Sequence, residues 1–407
     1  MRRGTGRELR AATMDHTADE GLSSVLIDDA ARAEFRGRLR EWLPEHLPST
    51  PEPDGVEDRF WWRHAWHRTL HSGGWIGVDL PAELGGHGLD VLHRAIVIDE
   101  LTTADAPPIA NWVGVELVAP TLVACGSADQ RAEHVPAILD GGSVWCQAFS
   151  EPEAGSDLAA VTTRATPDGD GFVLRGRKRW SSWSRFADQV LVLARTGSAE
   201  ARHKALSCFI VPLSHPGVRV LPVPMLYGDA EESDIVFDDV RVGPGALVGE
   251  LDRGWSVLMT SLSLARGLST LTRVGALRRA LARLISERIE VCGSAADLPP
   301  TEVIALTDFH ARTEALRGLA YRKVADLAAD GVPGPVASTE KLLWGELSRQ
   351  VADHAVLLGG LDALAPSGGM ATGWLMELYR GIGNAIEGGT SEIQRTTIAR
   401  HVLGLPA

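Results

Sequence analysis

The hydrophobic pattern of this chain changes character twice, and that change limits the folds it can adopt. Up to residue 141 the apolar residues recur at helical spacing, and they do so again after residue 254. Between residues 144 and 248 the apolar residues form short runs bounded by turn residues, at 171–174, 190–194, 206–211, 218–223 and 234–237. These runs predict an antiparallel β-domain of barrel or sandwich type. Helices, then strands, then helices indicate an α+β fold with segregated layers.

The helical segments have recognisable starts and stops. Asp28 or Asp29 can cap the first helix, and Pro44 is its expected end. Further N-terminal helices are predicted at 61–70, 96–103, 117–123 and 130–139, and turns at 73–88. Long helical patterns at 255–287, 302–329 and 337–358 predict an antiparallel bundle, with a final helix at 390–403. We therefore expect domains at 21–141, 142–250 and 251–407.

Composition excludes several classes of function. A formal net charge of −13 argues against a nucleic-acid partner, because phosphate binding needs clustered basic side chains. The four cysteines form no CxxC pattern, so neither a disulfide framework nor a metal site is predicted. No apolar run reaches the ~18 residues of a membrane span. Residues 1–20 lack the apolar core of a signal peptide and are expected to be a disordered leader. We therefore expect a cytoplasmic protein with no membrane partner.

Residues 145–157 read WCQAFSEPEAGSD and form the first segment with possible chemistry. Pro152 fixes a turn, Gly155 adds backbone freedom, and Ser156 with Asp157 can cap a helix or contact a phosphate. Taken alone, the segment predicts a turn between a helix and a strand.

The second segment, residues 176–184, reads GRKRWSSWS. An aromatic ring beside small hydroxyl groups can flank a planar heterocycle, with serine as hydrogen-bond donor and Trp180 as wall. In isolation, a core tryptophan on a strand explains the same letters.

The third segment, residues 386–405, reads IEGGTSEIQRTTIARHVLGL. A carboxylate and two glycines precede a Thr-Ser pair that opens an amphipathic helix. The free N–H groups of a helix start favour an anion such as a pyrophosphate, although plain Ser or Thr caps fit equally well. GxGxxG and P-loop motifs are absent, so a Rossmann-type nucleotide site has no support.

Together and in this order, the three segments resemble those of the acyl-CoA dehydrogenase family. SEPxAGSD, GxKxW[ST]S some twenty residues later, and GGTSEIQR before IARxxLGLP all match. The turn at 75–88 and the run FDDVRV at 237–242, followed by LVGE and GW, look similar as well. The resemblance spans residues 28–406. It implies an N-terminal helical domain, a middle β-domain, a C-terminal four-helix bundle and a non-covalently bound FAD.

The resemblance also implies site residues, position by position. The flavin would be lined by Phe149, Ser150, Trp180 and Ser182, with Gly388, Gly389, Thr390 and Ser391 beside the FAD and the thioester. Ser156 would lie near a cofactor phosphate or the acyl-CoA, and Arg266 matches a family arginine close to the acyl-CoA. The implied partners are an acyl-CoA or acyl-carrier thioester and an electron-accepting flavoprotein.

The implied reaction, α,β-dehydrogenation of an acyl thioester, needs a carboxylate base for the α-proton, while the flavin accepts the β-hydride. The chain departs from the family at both places where that base occurs. Gly388 occupies one position and Ala265 the other. Glu387, one residue earlier than the first position, is the acidic residue closest to either, and it is our candidate base. A solvated or Arg-paired side chain at a helix entry is the alternative interpretation.

A second departure is the stretch 292–307, which lacks the arginine that family members often extend to the FAD of a neighbouring subunit. FAD binding is then expected to be weaker or to depend on a partner chain. The resemblance favours a homodimer or homotetramer, with a hetero-oligomer as the alternative. Two other functions stay open: a flavin monooxygenase or oxidase on the same scaffold, and a non-catalytic partner subunit of a hetero-oligomeric dehydrogenase.

Overall fold

A computed structural model describes residues 29–406, apart from 229, 331–335 and 365–372. The side chains of 264–267, 330, 336, 361 and 362 also lie outside the described part. The expected leader at 1–20 and the cap candidate Asp28 therefore fall outside the described residues, as do the side chains of Ala265 and Arg266.

The N-terminal region is helical, as expected. Its helices are α1 (Ala30–His46), α2 (Val56–Ser72), α3 (Val91–Thr103), α4 (Ala119–Cys125) and α5 (Ala128–Leu139), and a π-helical turn (Gly114–Val118) leads into α4. Asp29 caps α1 by accepting from the Arg32 N–H at 2.8 Å. The expected stop at Pro44 is wrong, because α1 continues to His46. In the last turn a proline interrupts only one helical hydrogen bond, and the Leu47 N–H still reaches Leu43 O at 2.9 Å.

The middle region is one eight-stranded sheet. Its strands are β1 (Trp145–Ala148), β2 (Arg164–Asp168), β3 (Gly171–Ser182), β4 (Gln189–Arg195), β5 (Leu206–Pro212), β6 (Val218–Val223), β7 (Glu232–Val242) and β8 (Leu247–Val248). The strand order is β6-β7-β3-β2-β4-β5-β8, with β1 paired to β4. The described pairings are antiparallel except β1–β4 and β2–β4. The antiparallel character of the region is therefore confirmed, with two parallel exceptions.

The C-terminal region is helical again. It contains α6 (Gly254–Cys292), α7 (Pro300–Asp330), α8 (Val336–Ala363), α9 (Gly373–Asn384) and α10 (Ser391–His401). The long helices α6, α7 and α8 pack on one another, and α9 and α10 pack on α8. Apolar side chains such as Leu281, Leu316 and Leu347 form the shared core. The predicted α+β fold of helices, β-domain and helices is confirmed, while α9 was not among the predicted helices.

A single carboxylate joins the three regions. Glu231, just before β7, accepts from Arg59 of α2 at 3.2 Å and from Arg380 of α9 at 3.0 Å, both at Oε1. The Arg380 guanidinium also lies over the ring of Tyr227 at 4.8 Å. No helix in the described part of the chain is long and apolar enough to span a membrane.

Candidate active site

A buried ion pair fixes the segment SEPEAGSD to the sheet. Lys178 of β3 donates to Glu151 Oε1 at 2.8 Å and to the carbonyl of Phe149 at 3.0 Å, and both charged side chains are buried. The backbone N–H groups of Thr162 and Thr163 donate to the two oxygens of the same carboxylate at 2.7 and 2.8 Å. The segment is thus a loop, as expected, held by a side chain that the sequence alone did not single out.

Burial shifts the pKa values of Glu151 and Lys178 in opposite directions. Burial alone would raise the pKa of Glu151, but Lys178 and the hydrogen bonds at Thr163 and Thr162 lower it to about 2. Burial lowers the pKa of Lys178 to about 8, because Glu151 offsets only part of its desolvation. The charged form of Glu151 is therefore stabilised relative to water, whereas the charged form of Lys178 is destabilised.

Trp180 lies two residues after Lys178, with its side chain outside the core. Its side chain is 50% exposed, and its φ of 63° lies in the left-handed region. A positive φ costs a bulky residue roughly 1–2 kcal/mol, so the surrounding strand imposes it. The register of β3 against β7 shifts between Lys178 and Ser181, which is a β-bulge that turns the indole outward. The Arg179 guanidinium covers one face of the ring at 4.7 Å.

Ser182 follows at the end of β3, where its hydroxyl donates to Glu232 Oε1 at 2.7 Å. The two residues face each other across the β3–β7 pairing. Burial raises the pKa of Glu232 to about 7, with Glu231 and Glu387 adding to the rise, although the Ser182 hydrogen bond and Arg380 oppose it. Glu232 Oε2 is buried without a hydrogen-bond partner among the described residues. Sequence reasoning missed Glu232.

The C-terminal motif forms a tight turn and a helix start. Gly388 and Gly389 have φ values of 61° and 105°, which L-residues rarely adopt. The buried side chain of Gln394 donates to Gly388 O at 3.0 Å and holds the turn. Thr390 is the N-cap of α10 and accepts from the Ile393 N–H at 3.3 Å. The cap interpretation of Thr390 is therefore correct, and Ser391 is the first residue of the helix.

Glu387 lies at the entrance to this turn. Its carboxylate is 53% exposed and accepts from Arg273 of α6 at 3.1 Å. The Arg273 guanidinium also stacks over the Trp344 ring of α8 at 4.3 Å. The charge of Glu387 also adds to the raised pKa of Glu232, the carboxyl group that accepts from Ser182 at the end of β3.

The other expected site residues are less tightly grouped. The side chain of Phe149 is buried in the core, whereas Ser150 is partly buried and its carbonyl accepts from the Arg179 N–H at 2.9 Å. Ser156 is exposed, and beside it Asp157 is paired with Arg202. Arg266 lies on α6, with its side chain outside the described residues. No group of three or more metal-ligating side chains occurs in the described residues.

Family models match nearly the whole length of the chain. The acyl-CoA dehydrogenase N-terminal, middle and C-terminal domains match residues 29–142, 146–240 and 252–403. The chain belongs to the acyl-CoA dehydrogenase family. It is therefore an FAD-dependent oxidoreductase of the acyl-CoA dehydrogenase type.

Individual proteins that are similar to this acyl-CoA dehydrogenase support the same family. The acyl-CoA dehydrogenase IpdE1 of Mycobacterium tuberculosis is 36% identical over 92% of this chain and 97% of its own length. The solved structure of the Tcur3481-Tcur3483 steroid ACAD is 30% identical, with a TM-score of 0.80 over 94% of this chain and 99% of that one. The ChsE4-ChsE5 complex from Mycobacterium tuberculosis contains a chain 27% identical, with a TM-score of 0.76 and coverage of 93% and 98%.

The described residues fit an FAD in this region. A large indole is presented to solvent by a strained backbone, next to a serine hydroxyl. Gln147 Oε1 and Glu232 Oε2 are buried polar atoms that lack partners within the described part of the chain. The start of α10 offers backbone N–H groups to an anion such as a pyrophosphate. An aromatic wall, buried polar atoms without partners among the described residues, and a helix start are features that suit a dinucleotide.

Proposed function

We propose that this acyl-CoA dehydrogenase converts a saturated acyl thioester to its α,β-unsaturated form, with Glu387 removing the α-proton. The observation that carries the proposal is a half-exposed carboxylate directly before the glycine turn at 388–389, and the outward Trp180 with Ser182 supports it. Bound FAD supplies the acceptor for the β-hydride. CoA is the proposed thioester carrier, an acyl-carrier protein is the alternative, and the cytoplasm is the proposed location.

We assign roles to the remaining residues in the same way. The proposed FAD-binding residues are Phe149, Ser150, Ser156, Trp180, Ser182, Gly388, Gly389, Thr390 and Ser391. Ser156, Arg266 and Gly388 are proposed to contact the acyl-CoA. The domain limits at 141/142 and 250/251 are kept as part of the proposal.

The contact between Glu387 and Arg273 bears on the base role. A general base must be held in position, and the Arg273 guanidinium contacts the Glu387 carboxylate at 3.1 Å. Half of the Glu387 side chain is exposed, so an acyl-CoA bound over it displaces water and makes the carboxylate a stronger base. Gly388 and Gly389 follow Glu387, and their positive φ values let the chain turn directly after the carboxylate.

The substrate is tested by anaerobic titration with acyl-CoAs, followed in the visible absorbance of the flavin. We expect purified protein to hold about one FAD per chain, and its colour to bleach with a saturated acyl-CoA. The panel contains straight-chain acyl-CoAs and a ring-bearing, steroid-derived acyl-CoA, because one similar structure is named a steroid ACAD. Matched enoyl-CoAs, which have no β-hydride to give, are the control.

Each other outcome of this titration identifies a different function. Flavin that no acyl-CoA bleaches, but that consumes oxygen with a substrate, supports the monooxygenase or oxidase and contradicts our proposal. A colourless protein that takes up no added FAD supports the non-catalytic partner subunit.

We also propose that the flavin site is completed by a second chain. Apolar side chains around the C-terminal motif are exposed, with Ile386 at 59%, Ile393 at 40% and Leu403 at 64%. Such side chains near a binding site are typical of an interface. Two similar structures have names that join two proteins, so the second chain is either a copy or a different relative.

Light scattering combined with flavin absorbance tests the assembly. We expect all flavin-loaded protein at micromolar concentration to have the mass of a dimer or a tetramer. If the second chain is a different protein, the chain purified alone is expected to bind little FAD and to gain it when a partner is co-expressed. A flavin-loaded monomer contradicts the proposal.

A further inference from the structure

Glu232 is a carboxyl group at the candidate site for which the proposed reaction has no task. It faces Ser182 across two paired strands, at the edge of the region where Trp180 is turned outward. One oxygen accepts from the Ser182 hydroxyl at 2.7 Å, and the other is buried without a partner in the described part of the chain. An ionised carboxylate with one oxygen unsatisfied is costly to bury, whereas a protonated carboxyl group needs fewer partners.

We propose that Glu232 is a positioning residue that sets the direction in which the Ser182 hydroxyl hydrogen bonds. While Glu232 is ionised it can only accept, so the Ser182 hydrogen points at the carboxylate and only the oxygen lone pairs are left for the flavin. Once Glu232 is protonated its O–H can donate to Ser182 Oγ, which frees the serine hydrogen for an acceptor. The inference rests on the proposed place of Ser182 at the flavin.

The direction of the Ser182 hydrogen bond affects FAD binding because of the hydrogen-bonding atoms on the flavin ring. The ring of oxidised FAD presents mostly hydrogen-bond acceptors, so a serine that donates binds it better than a serine that only accepts. Protonation of Glu232 is therefore expected to strengthen the binding of oxidised FAD. One hydrogen bond gained or lost corresponds to about 3–10-fold in affinity.

The surroundings of Glu232 bring its pKa close to neutral pH. Burial raises its pKa to about 7, and the negative charges of Glu231 on the same segment and Glu387 in the C-terminal turn add to the rise. The Ser182 hydrogen bond and Arg380 of α9 oppose it. Another titratable neighbour is Cys146 of β1, whose pKa burial raises with a contribution from Glu232, so this thiol stays neutral. A group whose pKa is raised is protonated below that value, so the serine is free to donate at pH 6 and held at pH 8.

The test is the dissociation constant of FAD measured against pH. Apoprotein of the parent, Glu232→Gln, Ser182→Ala and the double variant is titrated with FAD between pH 5.5 and 8.5, with the visible spectrum recorded at each point. For the parent we expect about 3–10-fold tighter binding at the acid end, with the midpoint near pH 7. Glu232→Gln carries an amide donor in place of the carboxyl, so its affinity should match the acid end of the parent at every pH.

The serine variants separate this inference from the proposed site. Ser182→Ala and the double variant should bind FAD equally weakly and without pH dependence. Glu387→Gln removes a charge that raises the pKa of Glu232, so it should move the midpoint to lower pH without abolishing the dependence.

Four results overturn the inference, and they differ in what else they affect. A pH dependence that persists in Glu232→Gln, or an equal loss of affinity at all pH values in that variant, refutes the role of Glu232 alone. FAD affinity that is unchanged in Ser182→Ala, or a parent that binds no FAD, refutes the proposed flavin site as well.

Discussion

Substituting Glu387 by Gln is expected to lower the rate of acyl-CoA dehydrogenation at least about 100-fold, the lower end of general-base effects. The amide keeps the size of the side chain and can still contact Arg273, but it cannot take up the α-proton. The flavin spectrum, and the FAD content at saturating FAD, are expected to stay those of the parent, because Glu387 is not among the proposed FAD-binding residues. Stopped-flow measurement of flavin bleaching by a saturated acyl-CoA gives the rate of the step concerned.

Glu392 supplies a matched control for this substitution. It is an exposed acid in the first turn of α10, five positions along the same motif. Glu392→Gln should bleach at a rate close to the parent. A Glu387→Gln enzyme that dehydrogenates as fast as the parent refutes the assignment, and the base must then be sought elsewhere.

Substituting Lys178 by Met is expected to destabilise the fold by about 3–5 kcal/mol, because Glu151 is left buried without its cation. The loss should appear as a lower urea midpoint with an unchanged slope. FAD occupancy should fall too, since Lys178 holds both the Phe149 carbonyl and the loop that begins at Ser150. Methionine is chosen because it fills nearly the same volume without a charge.

The pH dependence of the stability loss in Lys178→Met tests whether the unpaired Glu151 carboxylate causes it. In the parent, Lys178 and the hydrogen bonds outweigh burial and lower the pKa of Glu151 to about 2, so its contribution is present above pH 4.5 and is lost as the pH falls towards 2. Without Lys178 the same carboxyl group protonates at higher pH. The stability difference between parent and variant should therefore shrink between pH 7 and pH 4.

An exposed pair on the same strand is the control for Lys178→Met. Arg175 pairs with Asp239 on the surface of β3 and β7, where both side chains are largely exposed. Arg175→Met should leave the urea midpoint close to the parent value, because solvent screens such pairs. Equal losses in Arg175→Met and Lys178→Met would show that burial of the pair is not the cause.

The sequence predicted the order of helices and strands because apolar periodicity records which face of each element is buried. The prediction failed where buried residues are not apolar. Strand β3 runs to Ser182, well beyond the predicted end at residue 174, because the buried Lys178 makes the second half of the strand look polar. Helix α9 carries Leu375, Leu378 and Tyr379 at helical spacing, but it was not among the predicted helices.

The geometry of the candidate site could be predicted only in part, for a similar reason. The motifs pointed to Trp180, Ser182 and the glycine turn as candidates, since each lies within a short recognisable segment. The partners that give these residues their properties lie far away in the chain: Glu232 is 50 residues from Ser182, and Arg273 is 114 residues from Glu387. Such pairs exist only once the sheet and the bundle have formed, so no local pattern could reveal them.

Two adjacent residues, Glu231 and Glu232, give the molecule a link between its large-scale shape and its chemistry. The first anchors helices from both ends of the chain, and the second touches the serine at the candidate site. A single peptide bond therefore connects the carboxylate that holds α2 and α9 to the carboxylate that accepts the hydrogen bond of Ser182.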